Sequence, residues 1–362
     1  MKNTTFLFFI FISIIGCKGI STKDHYFVKL KFLDEFILSD TIIVDGALVG
    51  GLSGIDYHNG IYYIVSDDAY NPRFYKAAID IRQGKIADIS IQKVIKVTDS
   101  NNYLDLESIR YGSNNELLLT SEGHISTKKD PLLISVDTLG VVKKYYNIPP
   151  HIKSSSMLKP RHNGTLEGLT IGFDNKGYWI AMESPLEADG VEPTLVITNS
   201  PVRIIYIDED SNLPTKSFAY KLGLIAKAPK GKFAVNGLTD ILMYEKDKFY
   251  VVERSYSSGL GNQGNTVKIF NVDASKATNI LDFDTLKDGS YIPAKKELLF
   301  DFESIKDSLT DDSIDNIEGI SFGPDLANKN KTLLLVADNN FNKLGPQQNQ
   351  FILLEIIDQK SK

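Results

Sequence analysis

A unit of two apolar strands recurs five times along the chain, and this repeat restricts the possible architectures more than any other feature of the sequence. Each copy opens with an apolar residue, a polar residue, a small or acidic residue and a second apolar residue. A turn follows, and then an apolar strand that ends in an acid. The five copies begin at Leu52, Leu106, Leu166, Leu238 and Ile317.

The repeat predicts an all-β fold, because each copy is a pair of apolar strands. The sequence also offers no convincing amphipathic helix of 12 or more residues. A third strand can be identified after four of the hairpins, at Arg73–Asp80, Pro131–Asp137, Val202–Asp208 and Thr266–Val272. Four-stranded units repeated around an axis form a β-propeller. A β-sandwich is the alternative, but it predicts shorter and less regular spacing.

The spacing of the copies favours six blades. Successive copies start 54 to 79 residues apart, and propeller blades run to roughly 40 to 50 residues plus insertions. A sixth, degenerate blade is therefore expected within residues 255–315. Phe302–Ile305 imitates the motif there, but no strand follows it, so we interpret the likeness as coincidence. Strands at Phe27–Leu38 and Phe351–Ile357 are expected to pair and close the ring.

The N-terminus is typical of a bacterial lipoprotein. A single Lys and an apolar run from Phe6 to Ile15 precede Gly16-Cys17, and Cys17 is the only cysteine in the chain. We predict a signal peptide at residues 1–16, a lipidated tether at 17–25 and a single propeller domain at 26–362. Lipidation at Cys17 predicts anchoring at the bacterial cell envelope, on the outer membrane, at the cell surface or in the periplasm. The alternative is an ordinary signal peptide with an incidental cysteine.

Carboxylates recur at one end of each hairpin. A hairpin returns its chain to the end from which it started, so the acid that opens a copy lies near the acid that ends its second strand. This pairs Glu107 with Glu122, Glu167 with Glu183 and Glu318 with Asp338. In the remaining copies Asp67 faces Ser53 and Glu253 faces Thr239. If these are the inner strands, one mouth of the channel carries a ring of acids.

Such a ring needs neutralising, because like charges raise one another's pKa. Ca²⁺ suits it, since it takes six to eight oxygen ligands. The predicted metal ligands are Asp67, Glu107, Glu122, Glu183, Glu253 and Asp338. Arginines beside the motifs can also neutralise it: Arg73, Arg110, Arg161, Arg203 and Arg254. Repeat-end acids also serve propellers as structural caps on backbone N–H groups, and that interpretation stays open for each acid.

Charge and histidines complete the candidate site. The chain has 40 Lys and Arg against 46 Asp and Glu, a formal charge of −6, which disfavours a nucleic-acid partner. His124 and His162 lie close to the motifs and are candidates for acid–base chemistry, or simply surface histidines. We expect a monomer.

The motifs resemble the bacterial phytase-like family, also described as the "esterase-like activity of phytase" domain, over most of residues 45–357. The matching segments are residues 51–56 with 66–68, 105–109 with 121–123, 163–168, 252–255, and 316–320 with 338–340. By analogy with β-propeller phytases, the resemblance implies a calcium-assisted phosphoester hydrolase. No phytase-type active-site motif can be matched residue by residue.

Two functions are compatible with these features. In the first, Ca²⁺ assists hydrolysis of a phosphoester or ester bond in a small or envelope-associated substrate. The candidate catalytic residues are Glu167, Glu318 and His124. The anionic group of the substrate is bound by Arg73 and Arg254. In the second, the propeller is a non-catalytic binding or scaffolding lipoprotein. A lactonase-like calcium propeller is chemically close to the first.

Overall fold

A computed structural model of the chain describes residues 26–196, 199–343 and 345–360. The predicted signal peptide, Cys17 and the predicted tether therefore lie outside the described residues. The described chain opens with strand β1 (Tyr26–Leu38), followed by a small hairpin of β2 (Ile43–Val44) and β3 (Ala47–Leu48).

Nineteen further strands continue the fold, and together with β1 they form five four-stranded antiparallel sheets. The first blade contains β4 (Leu52–His58), β5 (Ile61–Ser66), β6 (Arg73–Arg82) and β7 (Lys85–Lys96). The second contains β8 (Leu106–Tyr111), β9 (Glu116–Ser121), β10 (Leu132–Asp137) and β11 (Val142–Tyr145). The third contains β12 (Leu166–Ile171), β13 (Gly177–Met182), β14 (Pro201–Asp208) and β15 (Leu213–Lys221). The fourth contains β16 (Ala234–Glu245), β17 (Lys248–Ser257), β18 (Asn265–Asp273) and β19 (Lys295–Asp301). The fifth contains β20 (Ile317–Phe322), β21 (Thr332–Ala337) and β22 (Asn349–Lys360), with β1 as its outer strand.

The propeller prediction is confirmed, but the prediction of six blades is wrong. Five sheets account for the ring, and each of the five repeat copies forms the inner hairpin of one blade. Residues 255–315 hold no extra blade: they supply β18, β19 and the connections around them. The spacing misled because long strands and loops enlarge the blades. Phe302–Ile305 belongs to a 3₁₀ helix, as its lack of a following strand indicated.

The predicted ring closure is confirmed. Strand β1 pairs antiparallel with β22, so the N-terminal strand completes the last blade and joins the two ends of the ring. The ring is thus held closed by hydrogen bonds between the two ends of the chain, and β1 forms the outer edge of the last blade. Across the described ranges, the helices are short 3₁₀ segments: Ser113–Asn115, Ile125–Thr127, Pro150–Ile152, Gly261–Gln263, Phe302–Ser308, Thr310–Asp312 and Asn340–Asn342. None of the described helices has the length and apolar character needed to cross a membrane.

Local sequence explains the inner hairpins. In the first blade Asn59 and Gly60 both adopt positive φ, +49° and +85°, which is the two-residue turn that matches the twist of paired strands. The second strand of each blade is apolar and buried on both faces, as in β13 and β21. These strands therefore pack between neighbouring blades, where the main apolar clusters of the protein lie.

The propeller axis is filled by one buried ion pair rather than an open channel. Arg110 on β8 donates from Nη2 to Asp240 Oδ2 on β16 at 2.7 Å. Its guanidinium also donates to the carbonyls of Ile55, Ile109, Ile241 and Ile320 at 2.8 to 3.1 Å.

Asp240 accepts from the backbone N–H groups of Leu169, Ile241 and Ile320. The two side chains thus bind all five inner strands. Small residues let those strands approach: a Cβ on Gly319 would lie 2.9 Å from Cα of Gly54.

Breaking this pair should destabilise the whole ring. We expect Arg110→Met to lower the free energy of unfolding by about 3–5 kcal/mol, because it leaves a buried carboxylate without its cation. Urea unfolding followed by tryptophan fluorescence measures the effect. Arg82→Met is the matched control, since Arg82 pairs with Asp80 at the surface, and it should cost less than about 1 kcal/mol. Equal losses in the two variants would contradict a special role for the axial pair.

Candidate functional site

Two structural positions in each inner hairpin point to the same end of the propeller. The first is the second residue of the repeat motif, where the register between the two strands shifts. A bulge of this kind redirects a side chain. The second position lies on the other strand of the hairpin. It is the residue directly after the one that pairs with the first residue of the motif. Across the five blades the first position holds Ser53, Glu107, Glu167, Thr239 and Glu318, and the second holds Asp67, Glu122, Glu183, Arg254 and Asp338.

These positions gather carboxyl groups, as the sequence predicted. We use the name acidic cluster for the following eight residues: Asp67, Asp105, Glu107, Glu122, Glu167, Glu183, Glu318 and Asp338. All are buried or half-buried. Two sets of three ligand oxygens lie within 4.8 Å of one another, namely Asp67–Asp105–Glu107 and Glu107–Glu122–Glu167. Glu107 belongs to both sets and is the centre of the arrangement.

Arg254 neutralises only one side of the cluster. Its Nη2 lies 3.3 Å from Glu183 Oε1 and 3.5 Å from Glu318 Oε1. Although burial opposes its charge, Glu318 and Glu183 raise the pKa of Arg254. Among the residues that the structure describes, no Lys or Arg forms an ion pair with Asp67, Asp105, Glu107 or Glu122. That half of the cluster lacks a countercharge.

Burial and mutual repulsion raise the pKa values of the cluster. Burial is the largest cause at Glu122, with repulsion from Asp105 and Glu183, and together they raise its pKa to about 8. Burial raises the pKa of Glu183 to about 7 even though Arg254 opposes the shift. The pKa of Glu107 lies well above its ordinary value, because of burial and of repulsion from Glu167 and Asp67.

The residues fit a hard cation. Every candidate donor is a carboxylate oxygen, which is the ligand type that Ca²⁺ prefers. Oε2 of Glu122 is buried without a hydrogen-bond partner within the described chain, which is a costly state for a carboxylate. Glu107 is oriented by Ser53, whose hydroxyl donates to Glu107 Oε2 at 2.8 Å. An ion held by Glu107, Glu122, Glu167 and the Asp67–Asp105 pair would supply the missing charge.

Histidines and a tyrosine border the half without a countercharge. Tyr103 donates its hydroxyl to Asp105 Oδ2 at 3.3 Å, and its ring meets His124 edge-on at 5.8 Å. The rings of His124 and His162 are 4.2 Å apart. Burial, with a smaller effect of His124, lowers the pKa of His162. His124 therefore lies beside the acids, where the sequence placed a candidate for acid–base chemistry.

The structure moves Glu253 out of the predicted ring. Glu253 pairs with Leu238, so the next residue, Arg254, occupies the place that an acid holds in the other blades. Strand β17 also continues to Ser257, so Glu253 is not at its end. Its carboxylate accepts from Tyr220 Oη at 2.5 Å and from the Gly223 N–H at 3.0 Å, and it pairs with Lys296. Successive residues of a strand face opposite sides, so a register difference of one residue turns the Glu253 side chain away from the cluster.

Arg73 does not present its charge to a ligand. Its side chain is only 5% exposed, and Nη1 lies 2.7 Å from Asp68 Oδ2. Three further N–H groups donate to the Tyr75 hydroxyl and to the carbonyls of Asn71 and Leu48. The predicted role in anion binding is therefore wrong for Arg73: its guanidinium ties together the loops of the first blade.

The other arginines beside the motifs are also engaged elsewhere. Arg110 fills the axis, Arg203 is buried against Asp189 at 2.7 Å, and Arg161 donates to the carbonyls of Pro185 and Gly190.

Asp105 is the member of the cluster that the sequence reasoning missed. Its signal was its position directly before the Leu106–Glu107 pair, at the same strand end as the predicted acids.

The family profile described as "Phytase-like: Esterase-like activity of phytase" matches residues 47–341. The chain therefore belongs to this phytase-like family, and its fold is a five-bladed β-propeller. Among curated proteins, none matches the sequence.

Solved structures with a similar chain path include three hydrolases by title. The endo-arabinase from Bacteroides thetaiotaomicron VPI-5482 is 12% identical, with a TM-score of 0.46, and the match covers 90% of this chain and 99% of that one. A thermostable family-43 glycoside hydrolase is 11% identical, with a TM-score of 0.46 and coverage of 87% and 91%. An exo-1,5-α-L-arabinanase from a bovine ruminal metagenomic library is 10% identical, with a TM-score of 0.43 and coverage of 85% and 97%. Matches this distant do not bear on the activity of the chain.

The raised pKa values predict how stability depends on pH without metal. A carboxyl with a higher pKa in the folded state binds more protons there than in the unfolded chain, so stability is lost as pH rises towards the folded value. For Glu122 this loss is on the order of 2 kcal/mol between pH 6.5 and 8. We expect the melting temperature in EDTA to fall by several degrees from pH 6.5 to 8.5 and the fall to be shallower in Glu122→Gln.

Exposed Glu245, which pairs with Lys248, supplies the control. Glu245→Gln should follow the unmodified protein at every pH. A melting temperature that stays level or rises over this range in EDTA would show that the cluster carries no unfavourable charge.

Proposed function

We propose that this phytase-like propeller is a calcium-assisted hydrolase of phosphoester or ester bonds, with its active site at the acidic cluster. We also propose that lipidated Cys17 anchors it at the bacterial cell envelope, where its substrate is a small or envelope-associated molecule. The first proposal depends on one observation: Asp67, Asp105, Glu107 and Glu122 lie together, buried or half-buried and without an ion pair to a described Lys or Arg, and Glu122 Oε2 lacks any described partner.

The residues that would hold Ca²⁺ are Glu107, Glu122 and Glu167, together with Asp67 or Asp105. When bound, the ion would supply Lewis-acid polarisation of the scissile phosphoryl or carbonyl group and would lower the pKa of a water molecule. Glu183 and Asp338, which the sequence also assigned to the metal, lie instead towards Arg254 and Glu318. They set the charge on the far side of the cluster.

Proton transfer can be supplied by the chain itself. Carboxylate oxygens of Asp67 and Asp105 lie within 4.8 Å of each other. Burial, with repulsion from Asp338 and Asp105, raises the pKa of Asp67 well above its ordinary value, which favours its protonated form. One carboxyl of the pair can therefore donate a proton while the other accepts one. Hydrolysis needs both functions, since the attacking water loses a proton and the leaving oxygen gains one.

His124 extends this proton path towards solvent. Its Nδ1 lies 2.9 Å from the Thr127 hydroxyl and 3.1 Å from that of Ser126, which orients the ring and leaves Nε2 for proton exchange. Arg254 faces the cluster with 16% of its side chain exposed. It keeps its proposed role in binding the anionic group that develops during hydrolysis, and Glu318 holds it in place.

Scaffolding is favoured less, because backbone N–H groups contact Asp338 and Glu122 but Glu107, Glu183 and Glu318 have side-chain partners instead. A structural cap accepts a backbone N–H, as Asp338 does from Asn340 at 2.7 Å. Glu107 instead accepts a hydroxyl, and Glu183 and Glu318 pair with Arg254. Opposed acids within one hairpin are expected for an ion site.

Calcium titration and activity assays test the proposal together. Purified protein should bind Ca²⁺ by calorimetry and hydrolyse at least one of an aryl phosphate, a phosphodiester, a carboxyl ester and a lactone, with EDTA abolishing turnover. Glu107→Gln should weaken Ca²⁺ binding at least about tenfold, because it removes a ligand shared by both triads. Glu167→Gln should lower kcat/KM by a similar or larger factor.

Glu245→Gln, the same chemical change at an exposed position, should leave both quantities unchanged. If none of the four substrate classes is turned over while Ca²⁺ only raises the melting temperature, hydrolysis is overturned in favour of scaffolding.

A further inference from the structure

A groove of about 620 Å³ lies beside the acidic cluster, between the first and second blades. Its volume is in the range of sites that bind small molecules. Two loops form its walls: residues 69–72 after β5, and residues 97–104 before β8. We use the name side groove for this cavity.

The side groove adjoins the acidic cluster through the side chain of Tyr103. Ala69 lines it two residues after Asp67, and Leu104 lines it directly before Asp105. Tyr103 also lines it and donates its hydroxyl to Asp105. The groove therefore lies one side chain away from Asp105, and a molecule bound in it would contact Tyr103.

The lining offers no positive charge. Ala69, Pro72, Val97 and Leu104 give it apolar surface, and Thr98, Ser100 and Asn102 give it neutral polar groups. Its charged member is Asp99, which accepts from Tyr145 Oη at 2.6 Å and from the Asn101 N–H at 2.8 Å. Those bonds lower the pKa of Asp99, although burial opposes the shift, so the wall stays negative.

The surroundings are also short of cations. Arg73, the arginine next to Pro72, is buried and paired with Asp68, and Arg254 lies between Glu183 and Glu318. Eight carboxyl groups face one guanidinium in the cluster, so two bound Ca²⁺ would still leave carboxylates in excess. A polyanion such as an inositol polyphosphate would meet repulsion on both sides, and like-charge contacts of this kind disfavour a ligand.

We infer that the side groove binds the uncharged group of a carboxyl ester or lactone, and that this site therefore selects uncharged esters over phosphate polyanions. The inference rests on the proposed hydrolase function and narrows its substrate class. Hydrolysis then consumes one water: its oxygen bonds to the carbonyl carbon, the ester C–O bond breaks, and the leaving oxygen takes the proton that the water loses.

Two probes of the same shape separate binding from turnover. 4-Nitrophenyl butyrate is the substrate, and N-(4-nitrophenyl)butyramide is its unreactive amide analogue. Inositol hexakisphosphate is the polyanion. In the Ca²⁺-loaded protein, calorimetry should show binding of the amide and at least tenfold weaker binding of the hexakisphosphate.

Filling the groove tests its location. Ala69→Trp should weaken binding of the amide at least tenfold and lower kcat/KM for the butyrate at least tenfold. Ala87→Trp, at an exposed position of β7, is the matched control and should change neither. Asn102→Trp, on the exposed wall, gives the same test if Ala69→Trp does not fold.

The outcomes distinguish the two proposals. Amide binding that responds to Ala69→Trp without any butyrate hydrolysis supports the groove and overturns the hydrolase. If kcat/KM for the butyrate is unchanged in both groove variants, the groove is not the binding site, and the proposed hydrolase function stands. Absence of amide binding, or tighter binding of the hexakisphosphate than of the amide, overturns the inference.

Discussion

The ion pair between Arg110 and Asp240 holds the centre of the propeller. Its hydrogen bonds reach all five inner strands, and both side chains are almost completely buried. A buried ion pair of this kind adds little net stability compared with apolar side chains of similar volume. Removing one partner is strongly destabilising, because the other charge is then buried alone. The pair therefore favours the one arrangement of strands in which both partners meet. Glycines at the third motif position bring the strands close enough for a single guanidinium to reach them. The pair therefore suits a narrow ring of five blades.

This central pair also gives the acidic cluster its character. Because Arg110 fills the axis, the carboxylates at this end of the inner hairpins lie beside a closed core and do not surround the mouth of a channel. Arg254 takes the place of an acid in the fourth blade, so charge is balanced near Glu183 and Glu318 and unbalanced near Glu107 and Glu122. The repeat thus produces an asymmetric site from nearly equivalent hairpins. The unbalanced side, bordered by Tyr103 and the histidines, is where we propose that a cation binds.

Local patterns located most of the strands and most of the acids that gather in the cluster. Apolar alternation and turn residues located the inner hairpins, and the pairing of the chain ends followed from two apolar segments. Seven of the eight cluster acids were named from the repeat, since a hairpin must return to its starting end. Glu253 was misplaced because a register shift sets which of residues 253 and 254 faces the site, and a sequence does not display that shift. Arg73 misled because nearness in sequence to the motif says nothing about which partners will take its donors.

The sequence by itself determined the repeated hairpins, the all-β class and the end of the blades where the acids collect, because these depend on neighbouring residues and on period-two alternation. Only the tertiary structure decided the number of blades, since ring closure is a global condition on the packing of all inner strands. It also decided which acids share an unbalanced charge and that Arg110 bonds across the axis. Those properties depend on distances between residues far apart in the chain, which the tertiary fold sets.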